Sequence, residues 1–466
     1  MGTTHAQYIK KQYVWTYVRD ALDGESSVKR ANTRYLPMPT AMALMPPVQV
    51  QTSNDPVAWN APYSHSNKAY EAYLQRARYP MIVGHTVRSL VGIAMRKDPT
   101  IKLPTALKYL EKELIKVYRK VVANALAFGR VWLVVDVTKE NTFKISLYKA
   151  LSGVDWKEGE YVVFKCRTQE HELLTDEYEY VRLSLGTAEG EKNAVYKVQR
   201  SEKETDRWEA AETTTPTMQG KRLNRLPVVC CGSIDLDWDT DPIPMEGIAS
   251  CALQLYMKNA DLSQAEFMSC NPILVLTGVE KDQVPTAVGS TVMFALPNAE
   301  SRAEYVEPKG TSLDHMITSM DRLYDEAAQY GAQLLGASKS QVESGEALRL
   351  RQSASGATLL SVMQLASEAM NEVLGIMIEW GGYTGTAEFV HESDLSAVDL
   401  NPNELRELTA AWMAGGLSYE TYYARLQKGG VADETRTAEE ERALIEQEAP
   451  KLADIGEPDA DDPPQE

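Results

Sequence analysis

The 466-residue chain lacks the cysteine patterns that mark disulfide-bonded or zinc-binding proteins. Its five cysteines are an odd number and include no C-x-x-C pair, so neither a disulfide framework nor a zinc site is indicated. They are Cys166, Cys230, Cys231, Cys251 and Cys270. We expect reduced, mostly buried thiols in a protein of the cytoplasm.

Long apolar runs and a targeting segment are also missing. No window approaches 18 uninterrupted apolar residues, so no membrane span and no membrane partner are predicted. The N-terminus has no apolar core of the kind that a secretory signal needs. Ala6 stands where the N-myristoylation pattern requires Ser or Thr.

Basic residues are too few for a conventional nucleic-acid-binding protein. The chain has 48 Lys and Arg against 66 Asp and Glu, a net charge of -18. Residues 431–466 carry 13 acidic and 3 basic residues, which leaves the rest mildly acidic. A surface that grips DNA broadly needs a basic excess. The balance fits ordinary acidic solubility, and it fits equally a protein that surrounds DNA without holding it.

No motif of a familiar enzyme class is present. We find no Walker A sequence, no G-x-S-x-G, no G-x-G-x-x-G after a strand and no H-x-x-x-H. The sequence HESD at 391–394 contains residue types that can bind a metal ion, but we favour its interpretation as a solvated loop. We predict no catalytic residue, no metal and no cofactor.

One acidic run has the ligand spacing of a calcium-binding EF-hand loop. Its acids occupy positions 1, 3, 5, 7 and 12 and are Asp235, Asp237, Asp239, Asp241 and Glu246. Thr240 stands where such a loop needs Gly, and Pro242 and Pro244 stiffen the second half. We therefore favour a role as negative charge ahead of a helix that begins near Met245.

The first half of the chain has an α+β pattern, with helices first and then a run of strands. Helices are predicted at Tyr8–Leu22, 67–95 with a break at Pro80, and 106–128 with Gly129 as its C-cap. A buried strand at 131–137 comes next. The region 143–229 then predicts an antiparallel meander whose last strand is 226–232.

The second half is mainly helical. Predicted elements are a helix at 245–268, strands at 271–279 and 290–296, a helix at 313–335, a polar break at 336–346 and a long helix at 347–380. Two or three short helices follow, with Asn401, Ser418 and Thr435 or Thr437 as N-caps. The Pro- and Asp-rich stretch 455–466 is expected to be disordered.

The polar break and the start of the long helix have two interpretations. Small residues at 353–357 permit close packing of another backbone, with the basic residues on a solvated turn. Alternatively, Lys339, Arg349 and Arg351 belong to a mobile loop at a channel wall and meet phosphates. The sequence alone favours the first.

Four stretches, in the same order along the chain, resemble the portal proteins of tailed bacteriophages. They are 70–104 with Y-x-x-R-A, G-x-x-x-R-K-x-P and I-x-L-P, the helix–Gly–strand step 125–137, the stretch 241–279 with N-P-I-L-V-L-T-G, and the helical stretch 410–448. Each motif alone is weak, and the ordered series is more specific.

The resemblance implies a mainly helical portal fold with a wing, a helical stem, a small α/β clip and a short helical crown. It divides the chain into a wing (1–240), a stem helix (241–270), a clip (271–310), a second stem helix (311–335), a tunnel loop and long wing helix (336–385), and a crown with an acidic tail (386–466). The C-terminal part is short, so the long barrel of larger portals is not implied.

The implied function is structural: a ring, usually a dodecamer, at one capsid vertex, serving as a channel for DNA packaging and ejection. Implied partners are further copies of the chain, double-stranded viral DNA, terminase, a head-tail adaptor, and major capsid and scaffold proteins. The virion, assembled in the host cytoplasm, is the implied location. The DNA-channel candidates are Lys339, Gln341, Glu343, Arg349 and Arg351, and the partner-docking candidates are Lys281, Asp282, Gln283 and Arg302.

The sequence leaves two alternatives open. The first is a cytosolic enzyme with an unrecognised site in the strand-rich N-terminal half, using Asp136 and His171. The second is a different phage head component, such as a minor capsid protein, which would share the composition but not the helix–insert–helix order.

Overall fold

The structure is a computed structural model that describes residues 4–40, 65–167, 178–187, 194–201, 212–269, 273–279, 301–306, 311–335, 357–391, 402–429, 431–433 and 436–448. The chain forms two compact units, Met1–Glu392 and Ser393–Glu466. Helices and antiparallel sheets both contribute, which agrees with the α+β class predicted from the sequence.

The predicted N-terminal helices are confirmed as α1 (Ala6–Asp23), α3 (His65–Arg76), α4 (Ile82–Ala94) and α5 (Glu111–Phe128), although the start predicted for α5, at 106, falls in a 3-10 helix. The short α2 (Glu25–Arg30) was not predicted. Pro80 lies between α3 and α4 because it has no amide hydrogen for a helix interior. Short 3-10 helices occupy Asn32–Arg34, Thr105–Leu110 and Ala150–Ser152.

The end of α5 is set by Gly129, as predicted. Gly129 has a φ of 69°, in the left-handed region, and its amide donates to the Ala125 carbonyl at 2.9 Å. The same residue lies against the Pro242 carbonyl, where an added Cβ would come within 2.5 Å. The chain then enters β2 (Arg130–Val137), whose first six residues are buried.

The strands form two principal antiparallel sheets. The three-stranded sheet has the order β11 (Val228–Gly232), β2, β3 (Phe143–Lys149). The five-stranded sheet is a meander of β4 (Gly153–Lys157), β5 (Tyr161–Arg167), β6 (Tyr178–Thr187), β7 (Ala194–Ser201) and β8 (Glu212–Thr214). Minor pairs are β9 (Thr217–Met218) with β10 (Lys221–Arg222), and β1 (Thr100–Lys102) with β14 (Glu388–Val390).

The prediction that the strand near 226–232 closes the meander is wrong. β11 pairs instead with β2, placing Val228 opposite Val134 and Gly232 opposite Arg130. All five β11 residues are buried. A strand covered on both faces belongs in an interior sheet, whereas a half-exposed meander strand would alternate apolar and polar residues.

A buried arginine joins the two sheets. The Arg130 side chain is 1% exposed and its guanidinium carbon lies 4.4 Å from the ring centroids of both Trp132 and Trp156. Its Nη2 donates to the Trp238 carbonyl, and His5 stacks on Trp156 at 4.0 Å. Two aromatic faces and a carbonyl therefore hold this cation where β2, β4 and the loop after β11 meet.

The remaining helices of the first unit are α6 (Glu246–Ser269), α7 (Thr311–Leu335) and α8 (Ala357–Gly381), with β12 (Ile273–Thr277) and β13 (Arg302–Val306) between α6 and α7. They confirm the predicted helices and one predicted strand. The start of the long helix, predicted at 347, falls outside the described residues. None of the described helices combines the length and apolar character that a bilayer crossing requires.

The second unit contains α9 (Pro402–Met413), α10 (Tyr419–Lys428) and α11 (Ala438–Glu448) among its described residues. Ser418 caps α10 by accepting from the Thr421 amide at 3.2 Å, as predicted. Thr437 caps α11 by accepting from the Glu440 amide, and the Glu440 carboxylate accepts from the Thr437 amide at 2.9 Å. The Asn401 cap, Thr435 and the stretch 455–466 lie outside the described residues.

The Gly129 turn gives a stability prediction with a built-in control. Gly159 also has a positive φ, 71°, but an added Cβ there meets nothing within 4 Å. We expect Gly159→Ala to lose about 1–2 kcal/mol of unfolding free energy from left-handed strain alone. Gly129→Ala should lose about 1–3 kcal/mol more because it also collides with the Pro242 carbonyl. Urea unfolding of both variants checks this, and equal losses would contradict it.

Candidate functional site

The segment predicted as a stem and clip forms an antiparallel helix pair. Lys258 Nζ on α6 donates to Ser319 Oγ on α7 at 2.7 Å. Gly247 lies against the Tyr330 ring, which an added Cβ would approach to 3.1 Å. Each helix covers 11 residues between these two contacts, which is about three helical turns. The helices therefore keep one register along this length, and Gly247 lets the tyrosine ring lie directly on α6.

Burial changes along α6. The part nearest its start is enclosed, with buried residues Ile248, Ala249, Cys251, Ala252, Leu253, Leu255, Tyr256 and Ala260. The last turns are open, and Phe267 and Met268 are about half exposed. α3 covers one side of this part: the Tyr73 hydroxyl donates to Asp261 Oδ1 at 2.5 Å and the Arg76 guanidinium lies 4.3 Å from the Phe267 ring centroid.

α7 is exposed over most of its described length. Met320 and Ala327 are the buried members among the residues whose burial is described, and they lie seven positions apart on the face toward α6. Ile317 and Tyr324, also seven apart, are both 44% exposed. Seven residues are about two helical turns, so these two side chains form one outward row.

The two strands between the helices pair with each other. β12 and β13 are antiparallel, with Ile273 opposite Val306 and Thr277 opposite Arg302. The predicted strand at 271–279 is confirmed as β12, the one predicted at 290–296 lies outside the described residues, and β13 was not predicted. Arg302, a docking candidate, is exposed, and Tyr305 on the same strand is 59% exposed.

The helix pair is acidic. α6 and α7 carry seven carboxylates and only two Lys or Arg residues, Lys258 and Arg322. The carboxylates are those of Glu246, Asp261, Glu266, Asp314, Asp321, Asp325 and Glu326. A surface of this composition repels phosphates, so the pair has the wrong sign for holding nucleic acid tightly.

Most of the other site residues named from the sequence fall outside the described residues. This holds for the DNA-channel candidates Lys339, Gln341, Glu343, Arg349 and Arg351, for the docking candidates Lys281, Asp282 and Gln283, and for His171. Asp136 is described, and its carboxylate accepts a hydrogen bond from the Ser146 hydroxyl. Burial raises the pKa of Asp136.

Within the acidic run at 235–241, Asp235 and Asp241 bond to backbone amides of their own loop, and Asp239 accepts from the Gln7 side chain on α1. Asp241 Oδ2 accepts from the amides of Ser233 and Ile234 at 2.7 and 2.8 Å, and Asp235 Oδ1 accepts from the Asp237 amide at 3.0 Å. Glu246 lies in the first turn of α6, where a negative charge meets the positive end of the helix. In the described part of the chain no three His, Cys, Asp or Glu side chains are grouped to hold a metal ion.

The interpretation of HESD as a solvated loop is wrong for its first residue. His391 is 7% exposed; its Nδ1 lies 2.7 Å from the Tyr118 hydroxyl and its Nε2 lies 3.0 Å from the Lys97 carbonyl. The imidazole thus joins α5, the turn after α4 and the end of β14. Cys230 and Cys231 are buried in β11, as predicted.

One charged feature was missed by sequence reasoning. Lys112, Lys116, Arg119 and Lys120 are all exposed on α5. Their spacing of three and four residues was a readable signal, because such positions share one helix face.

Comparisons with known proteins give limited matches. A family model described as a domain of unknown function, DUF4055, matches residues 244–381, the stretch that holds α6, α7 and α8. A chain in a solved structure titled "Virion of native gene transfer agent (GTA) particle" is 12% identical with a TM-score of 0.37, and the match covers 83% of this chain and 97% of that one. No curated protein matches the chain.

His391 gives a pH prediction. Burial lowers its pKa below the usual 6.5, with the Lys97 carbonyl and Asp98 acting in the opposite direction. Just below pH 6.5, His391 is therefore protonated in the unfolded chain while it stays neutral in the folded chain. The stabilising effect of the neutral ring is complete above pH 6.5 and declines as the pH falls through that value toward the folded-state pKa.

The variant His391→Gln keeps a donor and an acceptor but does not titrate. We expect its unfolding free energy to fall less than that of the wild type between pH 7 and pH 5, measured by urea unfolding at each pH. His315→Gln is the control, because His315 is exposed on α7. An equal slope for the wild type and His391→Gln would contradict the assignment.

Proposed function

We propose that this chain is the portal subunit of a tailed bacteriophage or a related particle, a structural component without catalytic activity. The proposal is supported by the ordered sequence resemblance and by the helix–strand pair–helix arrangement in the segment that the resemblance identifies as stem and clip. The observation that carries it is the exposed apolar surface along that segment.

This surface follows consecutive elements. Its members are Phe267 and Met268 at the end of α6, Val275 on β12, Tyr305 on β13, and Ile317 and Tyr324 on α7. Single exposed apolar side chains are ordinary, whereas a set that follows one structural segment is typical of an interface. We propose that copies of the chain associate through this surface into a closed ring.

The negative charge of the α6–α7 helix pair suits the wall of a DNA channel. DNA that must slide in either direction would be slowed by every strong phosphate contact, because each neutralised phosphate adds affinity. An acidic helix pair avoids such contacts. We propose that the few basic residues at one constriction, Lys339, Arg349 and Arg351, together with Gln341 and Glu343, meet the DNA.

The remaining assignments follow the same scheme. The ring, with a dodecamer as the expected size, occupies one capsid vertex and passes the genome during packaging and ejection. Terminase and a head-tail adaptor dock around Lys281, Asp282, Gln283 and Arg302, while scaffold and major capsid proteins contact the wing. The structural divisions are those given by the resemblance: wing 1–240, stem 241–270 and 311–335, clip 271–310, tunnel loop and long helix 336–385, and crown 386–466.

Ring formation is the direct test. The wild-type chain should form a large closed ring in native mass spectrometry and negative-stain images as its concentration rises. The double variant Ile317→Ser/Tyr324→Ser should remain monomeric or form small oligomers, because it removes the apolar row on α7. Circular dichroism should be unchanged, since both side chains are exposed.

A matched control lies on α1. Ile9 and Tyr13 are the same residue types on a helix and are 61% and 66% exposed. Ile9→Ser/Tyr13→Ser should leave the ring intact. A wild type that stays a monomer or dimer at every concentration would argue against a portal. It would favour an enzyme or a minor capsid protein instead. Rings that survive loss of the α7 row would place the interface elsewhere.

A further inference from the structure

The outer face of α5 carries a concentrated row of positive charge. The row consists of Lys112, Lys116, Arg119 and Lys120, all exposed. The opposite face is buried through Leu114, Val117, Tyr118, Val121 and Val122. At about 100° per residue, the four cations fall within an arc of about 100° that faces directly away from the core.

These cations have no carboxylate partner among the described residues. Elsewhere in that part of the chain exposed cations do form ion pairs, such as Lys157 with Glu160, Lys102 with Glu388 and Arg225 with Glu379. Like charges three and four positions apart on a helix repel one another. In a chain of net charge -18, an unpaired row of this kind indicates an anionic ligand.

We propose that this row, Lys112–Lys116–Arg119–Lys120, binds the phosphate backbone of double-stranded DNA. A helix rises about 1.5 Å per residue, so Lys112 and Lys120 are separated by about 12 Å along the axis. One DNA strand presents a phosphate about every 3.4 Å along the duplex axis, so the row spans about three or four phosphates. Lysines act as point charges that position a backbone without reading sequence.

A protein partner fits this surface less well. α5 carries no exposed large apolar side chain, and protein interfaces depend on a buried apolar centre. The residues that continue the outer face, Ala123 and Asn124, are small or polar and offer no anchor. Recognition here rests on charge alone, which is the situation at a phosphate backbone.

The α5 row is a different set of residues from those proposed to line the channel. The row lies on α5, whereas the channel candidates lie at 339–351 and the acidic helix pair is α6 and α7. The chain does not grip DNA over a broad surface, but one helix face suffices for weak, salt-sensitive contact.

The test measures binding of the full unassembled chain to a fluorescent 30-base-pair duplex by anisotropy at 50 to 200 mM salt. Four phosphate contacts predict a slope of about -3.6 in log affinity against log salt, which is about a 100-fold loss over that range. Lys112→Gln/Lys116→Gln/Arg119→Gln/Lys120→Gln should lose this binding and its salt dependence. The variant that replaces the three lysines by arginine should retain both.

The control removes the same residue types from other exposed positions: Lys10→Gln/Arg78→Gln/Lys139→Gln/Lys149→Gln. It has the same net charge as the first variant and should bind like the wild type. Equal binding by the two glutamine variants, or no wild-type binding at 50 mM salt, would overturn the proposal. So would displacement of the DNA by polyglutamate of equal charge, since that would identify an acidic protein as the better ligand. The assay needs no ring, so its outcome is independent of the ring test.

Discussion

Burial of the first half of α6 is the constraint on which much of the first unit depends. From Ile248 to Ala260 this helix is buried over most of its circumference, with Ser250, Gln254 and Lys258 along its polar side, and a helix with so wide an apolar face is stable only when it is enclosed. α1, α3, α4 and α7 supply the enclosure. Polar groups meet at its edges: the Tyr73 hydroxyl donates to Asp261, and the Arg78 amide donates to Asn259. Beyond Ala260 the apolar pattern ends, so the same helix leaves the core and becomes available to the solvent or to a partner.

Charge is handled in two different ways in this molecule. Arg130 is fully buried without a carboxylate, and taking a guanidinium out of water costs several kcal/mol. Two tryptophan faces, each contributing on the order of 2 kcal/mol when desolvated, and the Trp238 carbonyl offset part of that cost. The cations of α5 stay in water instead, where they keep their hydration and remain free to exchange it for phosphate.

The helices were predictable because their signals are local. Gly129 ends α5 because its backbone adopts the left-handed conformation. Ser418 begins α10 because its hydroxyl accepts a hydrogen bond from the Thr421 amide, three residues along the chain. Strand partners were not predictable in the same way. β11 pairs with a strand almost a hundred residues earlier, and Thr100 pairs with Val390 from the far end of the first unit. No local pattern distinguishes such a partner from the neighbouring meander.

The candidate site, too, could be predicted only where its features depend on local sequence. The helix–insert–helix order is visible in the sequence, since it depends on periodicity and turn residues. Which apolar residues remain exposed is not visible, because Ile317 and Met320 look alike until α6 covers only one of them. His391 shows the converse: a polar tetrapeptide resembles a surface loop, yet Tyr118 and Lys97, both distant in sequence, enclose its first residue.

The two proposed associations differ in their physical origin, and ionic strength therefore separates them. Contact between copies through Ile317, Tyr324 and their neighbours removes apolar area from water, which salt does not weaken and kosmotropic salts strengthen. Contact of the α5 row with phosphates releases counterions and weakens steeply with salt. The acidic side chains beside the apolar row, such as Asp321 and Asp325, are screened as salt rises, and their mutual repulsion between copies falls. Rising salt thus favours self-association while it releases DNA, so a chain with both properties can assemble firmly and still let the polyanion move.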